Sequence, residues 1–433
     1  MANRSIASNR ILLTLIVIFS IIPDLGIKIS TWGFNWTIYR LVVIASTIII
    51  VRIEGIDLKI MIQSFSFRWF LFLTFWIIYG LLLTIISPYA DLHNSFVELL
   101  SLLNGALTFL IINYLINNED DILWIEFIIY LIFNFLIIFA FCEIITGKHL
   151  HTSAFYDANS GFFMYNNYKL ATGFMYNVND FSALLTCLSP ILLVKRWGIG
   201  RYITLAGLII VNLINDASIC NMALLVSLTY VFLIIKGKNA VVTSIKRALF
   251  IAIVVFFIMY IVSLGVYGLS EQKGILGAVS NQVINYKNSS GSLFVRFNVY
   301  KEAIKGWIDS GFFGVGPKGF SKYFIENVNT TNIINPHALL LEILLEYGIV
   351  VFTIFAVLII LMFRESNKLY KKYMLVCNNY EYLVIMAFIV VYLIASFAPS
   401  AFIGYSYQWL LLALMCVKLD VTMNDNIRRD IYD

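Results

Sequence analysis

The feature that most constrains this chain is the recurrence of long apolar runs along nearly its whole length. They fall near 11–27, 36–51, 69–87, 96–116, 122–145, 180–195, 202–215, 219–235, 248–268, 337–362, 381–398 and 402–417. Crossing the apolar slab of a bilayer takes roughly 20 helical residues, and each run approaches that length. Inside lipid every backbone N–H and C=O must be satisfied within the segment, so each run is expected to form an α-helix. The composition agrees, with 61% hydrophobic and only 13% charged residues. A soluble domain carries about 45–50% apolar and ~25% charged residues. The expectation is an all-α polytopic integral membrane protein with about twelve transmembrane helices, forming one transmembrane domain over 1–433.

Cationic residues give the expected orientation, because short cytoplasmic loops collect Lys and Arg. With the N-terminus inside, the inner segments hold Arg4 and Arg10, then Arg52, Lys59 and Arg68, then Lys195, Arg196 and Arg201. Further along come Lys236, Lys238, Lys246 and Arg247, then Arg364, Lys368, Lys371 and Lys372, then Lys418, Arg428 and Arg429. The short outer loops hold only Lys28, Lys148 and Lys169. Both termini are thus expected in the cytoplasm, and the first helix is expected to be retained, since no small-residue cleavage site precedes Pro23. The net charge of +5 is too small to argue for nucleic acid. Of five cysteines, Cys142, Cys187, Cys220 and Cys416 lie in apolar runs and Cys377 in an expected inner loop, so no disulfide framework is implied.

Two outer segments are too long to be plain connectors: 146–179, and 269–336 ahead of the third-last helix. Within the second, Phe294, Phe297, Tyr300, Ile304, Trp307 and Ile308 recur at spacings of three and four. This predicts an amphipathic helix over 294–308, lying on the membrane surface or on the helix bundle, with Arg296, Lys301 and Lys305 pointing away from the apolar stripe. Arg296 stands at its start, where a guanidinium can grip phosphate bidentately. Gly314-Val-Gly316-Pro-Lys-Gly319 has the form G-x-G-x-x-G, but no strand precedes it, so a turn that reverses the chain is expected rather than a dinucleotide site. Asn335-Pro336-His337 then reads as an N-cap, a first helical position and a His in the first turn of a membrane helix. The free N–H groups there favour an anion, and His337 is suited to contact phosphate or take a proton. Glu346 lies nine residues on, roughly 180° around the helix, so it is expected to support structure rather than form a dyad with His337.

Elsewhere, Asn179 or Asp180 is expected to cap the next helix, leaving Asn177 free for a polar ligand, and Asn177 and Asn179 are the candidate contacts to a sugar on this outer loop. Arg40, one turn inside the second helix, either snorkels to headgroups or lines the outward cavity. His93, His149 and His151 have no Cys or carboxylate at ligand spacing, so no metal is expected. Glu98, Glu126 and Glu143 lie within apolar runs and keep a transport path as an alternative.

Taken in order, Gly173-Phe174…Asn177…Asn179-Asp180-Phe181, Ser218 at a helix head, Arg296 with Trp307, Gly314-Val-Gly316…Gly319-Phe320, and His337 with Glu346 and Gly348 resemble the bacterial O-antigen polymerase and O-antigen ligase family, with its capsule, exopolysaccharide and teichuronic acid relatives. The resemblance implies a GT-C-like fold in the plasma membrane and a glycosyltransferase that uses neither metal nor cofactor. It implies an undecaprenyl-pyrophosphate-linked oligosaccharide as donor, polymerisation or ligation of a surface polysaccharide on the outer face, and a flippase and chain-length regulator as pathway partners. By the same resemblance Arg296 binds the pyrophosphate, and His337 binds phosphate or assists proton transfer. The chain has Ala338, Val178 and Ile219 where the family often has Asn, Pro and Arg. Arg40 and Lys169 are the candidates to replace the charge missing at Ile219.

Overall fold

The computed structural model describes residues 6–22, 29–31, 34–54, 64–155, 169–194, 198–234, 292–328, 336, 338–377, 381–399 and 401–432. In chain order the helices are α1 (Ile6–Ile21), α2 (Ile38–Ile49), α3 (Phe65–Ile86), α4 (Leu92–Leu115), α5 (Glu119–Thr146), α6 (Val178–Val194), α7 (Gly200–Ile214) and α8 (Ser218–Ile234). They continue with α9 (Ser292–Asp309), α10 (Gly319–Val328), α11 (Leu339–Cys377), α12 (Glu381–Ala395) and α13 (Ser406–Tyr432). The expected helix at 248–268 lies outside the described residues. Among the described residues the fold departs from all-α at one place: β1 (Ile29–Thr31) pairs antiparallel with β2 (Phe34–Trp36), Ser30 opposite Asn35. This hairpin takes Trp36, the residue with which the second helix was expected to start. That helix instead begins behind Thr37, whose Oγ1 accepts the Arg40 N–H at 3.4 Å.

Among the described residues, four helices are long and apolar enough to cross a membrane: α3, α4, α5 and the Leu339–Lys372 part of α11. Shorter apolar helices, α6, α7, α8 and α12 among them, fill the bundle between these. The chain is a multi-pass membrane protein. Burial explains why short helices suffice in the middle. α12 is covered all round, with every residue from Tyr382 to Ile389 buried, and Tyr407 to Val421 of α13 are buried without interruption. Helices apolar on every face belong inside a bundle, whereas α3 turns Trp69, Phe72 and Trp76 inward and leaves Leu71, Ile78, Leu82 and Ile85 exposed.

Polar side chains fix the helix starts: Ser64 Oγ accepts from Phe67 N–H, Asp91 Oδ2 from Asn94 N–H and Asn118 Oδ1 from Asp121 N–H. Successive helices reverse, so the bundle has two distinct ends. One gathers the starts of α2, α4, α6, α8, α11 and α13; there Ser406 Oγ bonds Ser20 O and Phe402 N bonds Glu342. The other gathers Arg10 on Asp121, Asp420 on the start of α3, and Lys418 on Glu126. Arg52, Arg68 and Arg201 stand at this second end as well, on the helix turns nearest it.

Candidate functional site

The site begins with a break in a helix. Gly348 interrupts α11 at φ 72° and ψ −173°, a conformation reserved for glycine. A Cβ there would strike the backbone of Phe313. The break frees main-chain groups, and the loop after α9 takes them. Val315 N–H donates to Leu345 O at 2.8 Å, Gly316 N–H to Glu346 O at 2.9 Å, and Ile349 N–H donates back to Phe312 O at 3.0 Å. Gly314, at φ 101°, runs so close that a Cβ would lie 2.6 Å from the Glu346 carbonyl. On its other side the loop is held by Ser87 Oγ, which donates to Val315 O, and by Ser95 Oγ, which donates to Pro317 O at 2.9 Å. The expected chain reversal at G-x-G-x-x-G is thus a backbone clamp between α11 and the α3–α4 corner. The short helix that follows it, α10, has no counterpart among the elements expected from the sequence.

The clamp delivers Lys318 to a buried carboxylate cluster. Its Nζ lies 2.9 Å from Glu98 Oε2 and 3.8 Å from Glu342 Oε1. Glu98, Glu342 and Glu346 are all buried and each offers an oxygen within 4.8 Å of the others. Tyr347 hydroxyl donates to Glu98 Oε1, and Glu342 Oε2 accepts Phe402 N–H at 3.0 Å. Burial opposes the charge on Lys318, but Glu98, then Glu342 and Glu346, outweigh it and hold the ammonium above the ordinary lysine range. Three carboxylates are a donor set suited to a hard cation. Here the positive charge against them is the lysine itself, whose side chain is 31% exposed and so reaches the surface.

The residues singled out in the sequence fall around this clamp unequally. Arg296 belongs to α9, but its side chain lies outside the described residues, as does His337. α11 starts at Leu339, two residues beyond His337, rather than before it; Pro336 is buried at its approach and Leu339 N–H bonds Ser396 O at 3.4 Å. Arg40 turns inward: its Nη2 donates to Ser101 Oγ at 3.0 Å. Ser101 follows Glu98 by three residues on α4, so Arg40 and Lys318 flank one turn of that helix. Lys169 is exposed, just ahead of Ala171, whose N–H and C=O are both held at 2.8 Å by Asn215.

The cap of α6 corrects the sequence reading. Asn177 Oδ1, not Asn179 or Asp180, accepts the Asp180 N–H, at 2.9 Å. The cause is register: α6 starts at Val178, one residue ahead of Asn179. Asn177 is therefore engaged, and Asn179 is half-buried in the first turn. A second correction concerns His149. It is buried and its Nδ1 meets Glu143 Oε1 at 3.2 Å, so a carboxylate does join it across the turn that Gly147 makes. Glu143 also accepts Thr172 N–H at 3.0 Å and Gly173 N–H at 2.6 Å, tying these two residues to the end of α5. His93 and His151 are exposed. The three glutamates suspected of marking a transport path are thus bound up locally: Glu98 by Lys318, Glu143 by the loop, and Glu126 by Lys418 at 2.7 Å at the opposite end.

Fold and site define a class: a polytopic helical membrane protein whose ion cluster sits beneath an ordered loop at one end of the bundle. A family model described as O-antigen ligase matches residues 203–356, and over that stretch the chain is similar to that family. No curated protein matches the chain.

Proposed function

We propose that the protein polymerises oligosaccharide repeat units carried on a polyprenyl diphosphate, at the outer face of a bacterial plasma membrane. The observation that supports this best is the span of the O-antigen ligase match. It runs from α7 to α11 and takes in the clamp, Lys318, Glu342 and Glu346 together with Arg296 and His337. In this reading the end of the bundle that bears the clamp faces outward, and both termini lie in the cytoplasm. About twelve spans and a GT-C-like layout complete it.

The reaction joins two sugars and frees the carrier. The acceptor hydroxyl oxygen bonds to the anomeric carbon of the donor, and the bond from that carbon to the diphosphate oxygen breaks. The hydroxyl proton passes to a base, for which His337 is the candidate, and lipid diphosphate leaves with the electron pair. Negative charge grows on the leaving oxygen, so cations fixed nearby lower the barrier. Arg296 is assigned to the diphosphate, with Arg40 and Lys169 as substitutes for the arginine that Ile219 replaces. Asn177 and Asn179 were assigned to the sugar; with Asn177 capping α6, Asn179 is the better candidate. The activated carrier supplies the free energy, so neither nucleotide sugar nor metal is required.

The test is complementation of a deletion strain with Arg296→Ala and His337→Ala. Loss of long polymer in both is expected, and wild-type chain lengths from both would refute the assignment. A second reading, transfer of finished polymer to another acceptor, is favoured by the ligase description of the matching family. A deletion strain that accumulates single repeat units identifies a polymerase, and one that accumulates long carrier-linked chains identifies a ligase.

A further inference from the structure

The face of α9 that the protein leaves uncovered carries Lys301, Ile304, Lys305 and Ile308, all exposed, and it runs into an elbow where Phe312 and Phe313 are 48% and 61% exposed. The opposite face is the packed one: Val299 and Ala303 are buried, and Gly306 lets Tyr323 and Leu345 approach. Bulky apolar side chains are thus turned out and small ones in, with lysines beside the isoleucines.

The elbow has a second property. Its backbone is satisfied from within: Phe312 N–H donates to Trp307 O, Phe313 N–H to Ser310 O and Gly314 N–H to Ser310 Oγ. Phe312 O accepts from Ile349 N–H and from Trp307 Nε1, and Phe313 O accepts from Tyr79 hydroxyl at 3.0 Å. With the N–H and C=O of both Phe312 and Phe313 paired, these two residues can be immersed in lipid without the usual cost. Its neighbours continue the same surface. Ile349 and Val350 of α11, and Ile78 and Leu82 of α3, are exposed on two helices long enough to span the bilayer. Two acidic residues lie beside it: Glu302 is half-buried and 4.0 Å from Lys305, and Asp309, which is exposed, accepts the Tyr323 hydroxyl at 2.8 Å.

We propose that this face is a bilayer-docking surface, with Phe312 and Phe313 sunk into the acyl boundary and Lys301 and Lys305 on anionic headgroups. An amphipathic face of apolar and cationic residues suits that interface. Docking holds the outer end of the clamp at a fixed depth while α11 holds its inner end. The inference depends on α3 and α11 being membrane spans, not on the glycan chemistry.

The experiment places the photo-crosslinker p-benzoyl-phenylalanine at Phe313, at Ile308 and, as an exposed control on α10, at Glu326. The full chain is reconstituted in vesicles of phosphatidylethanolamine and phosphatidylglycerol, and adducts are identified by mass spectrometry. Lipid adducts are expected at 313 and 308, and at least tenfold fewer at 326. Adducts to a second copy of the chain, or no lipid adducts at either position, would overturn the proposal. Each lysine near an anionic surface is worth about fivefold in local lipid enrichment. The double variant Lys301→Gln, Lys305→Gln is therefore expected to bring the phosphatidylglycerol share of adducts down to the vesicle composition. An unchanged share would refute the role of the lysines.

Discussion

The two ends of the bundle each bury a lysine among glutamates, and they do so differently. At one end Lys418 is 4% exposed and bonds Glu126 and Glu381, with all three partners on helices. At the other, Lys318 is 31% exposed, rides on a loop and faces three carboxylates. The first is a closed tie between helices. In the second the cation arrives from outside the bundle on a segment that glycine geometry holds in place. Charge pairs of similar composition therefore serve different ends: one fixes helix packing, the other fixes where a loop meets the bundle.

The largest effect expected from this contrast is at Lys418. Lys418→Met leaves Glu126 buried without its cation, and loss of one partner of a buried pair costs about 3–5 kcal/mol. Thermal unfolding of the purified protein is expected to show that loss, and adding Glu126→Gln is expected to restore part of it. A variant as stable as the parent would show that the tie is not closed to water.

Next in size is the clamp itself. Gly348→Ala forces a side chain into a glycine-only conformation, at about 1–3 kcal/mol, besides the clash with Phe313. Loss of polymer is expected to exceed loss of folded protein, because the cost falls on the loop contact rather than on the bundle core. Equal losses of polymer and of folded protein on a membrane-extract blot would remove the distinction.

Lys318→Gln tests the contrast directly. With its lysine partly in water, this cluster lies between a surface pair and a buried one, and the stability cost is expected to be about 1–2 kcal/mol. Polymer length is expected to shorten nonetheless. If Lys318→Gln destabilises as much as Lys418→Met, the two clusters are of one kind and the contrast fails.

Much of this architecture was legible in the sequence, for a physical reason. Backbone satisfaction in lipid turns an apolar run into a helix with little ambiguity, and eleven of the twelve expected runs overlap a helix here. Ser218 stands at a helix head as expected, and G-x-G-x-x-G reverses the chain. What was not legible depends on distance and on solvent. Glu98 and Lys318 are neighbours in space but far apart in sequence, and no periodicity announces such a pair. On α9 the apolar stripe was expected to lie on the membrane surface or on the helix bundle with the lysines pointing away from it; Ile304 and Ile308 are exposed, with Lys301 and Lys305 beside them rather than opposite. Beside a bilayer large apolar residues lose nothing by facing out, and small ones such as Ala303 and Gly306 let elements approach closely.

The smallest effect concerns Asn177, where structure and sequence disagree about a role. As a cap it accepts one N–H, and replacing it with Ala is expected to cost about 1 kcal/mol. Asn177→Asp keeps the acceptor and adds a negative charge at a helix N-terminus, where the free N–H groups welcome it. A cap is therefore served by Asp as well as by Asn, and polymer length in Asn177→Asp is expected to match the parent. A sugar ligand needs the amide N–H₂ as a donor, which Asp lacks, so it would lose activity with stability intact. The two variants together separate the roles: stability lost in Ala and regained in Asp, with activity following stability, identifies a cap. Activity lost equally in both identifies a ligand and returns the head of α6 to the substrate site.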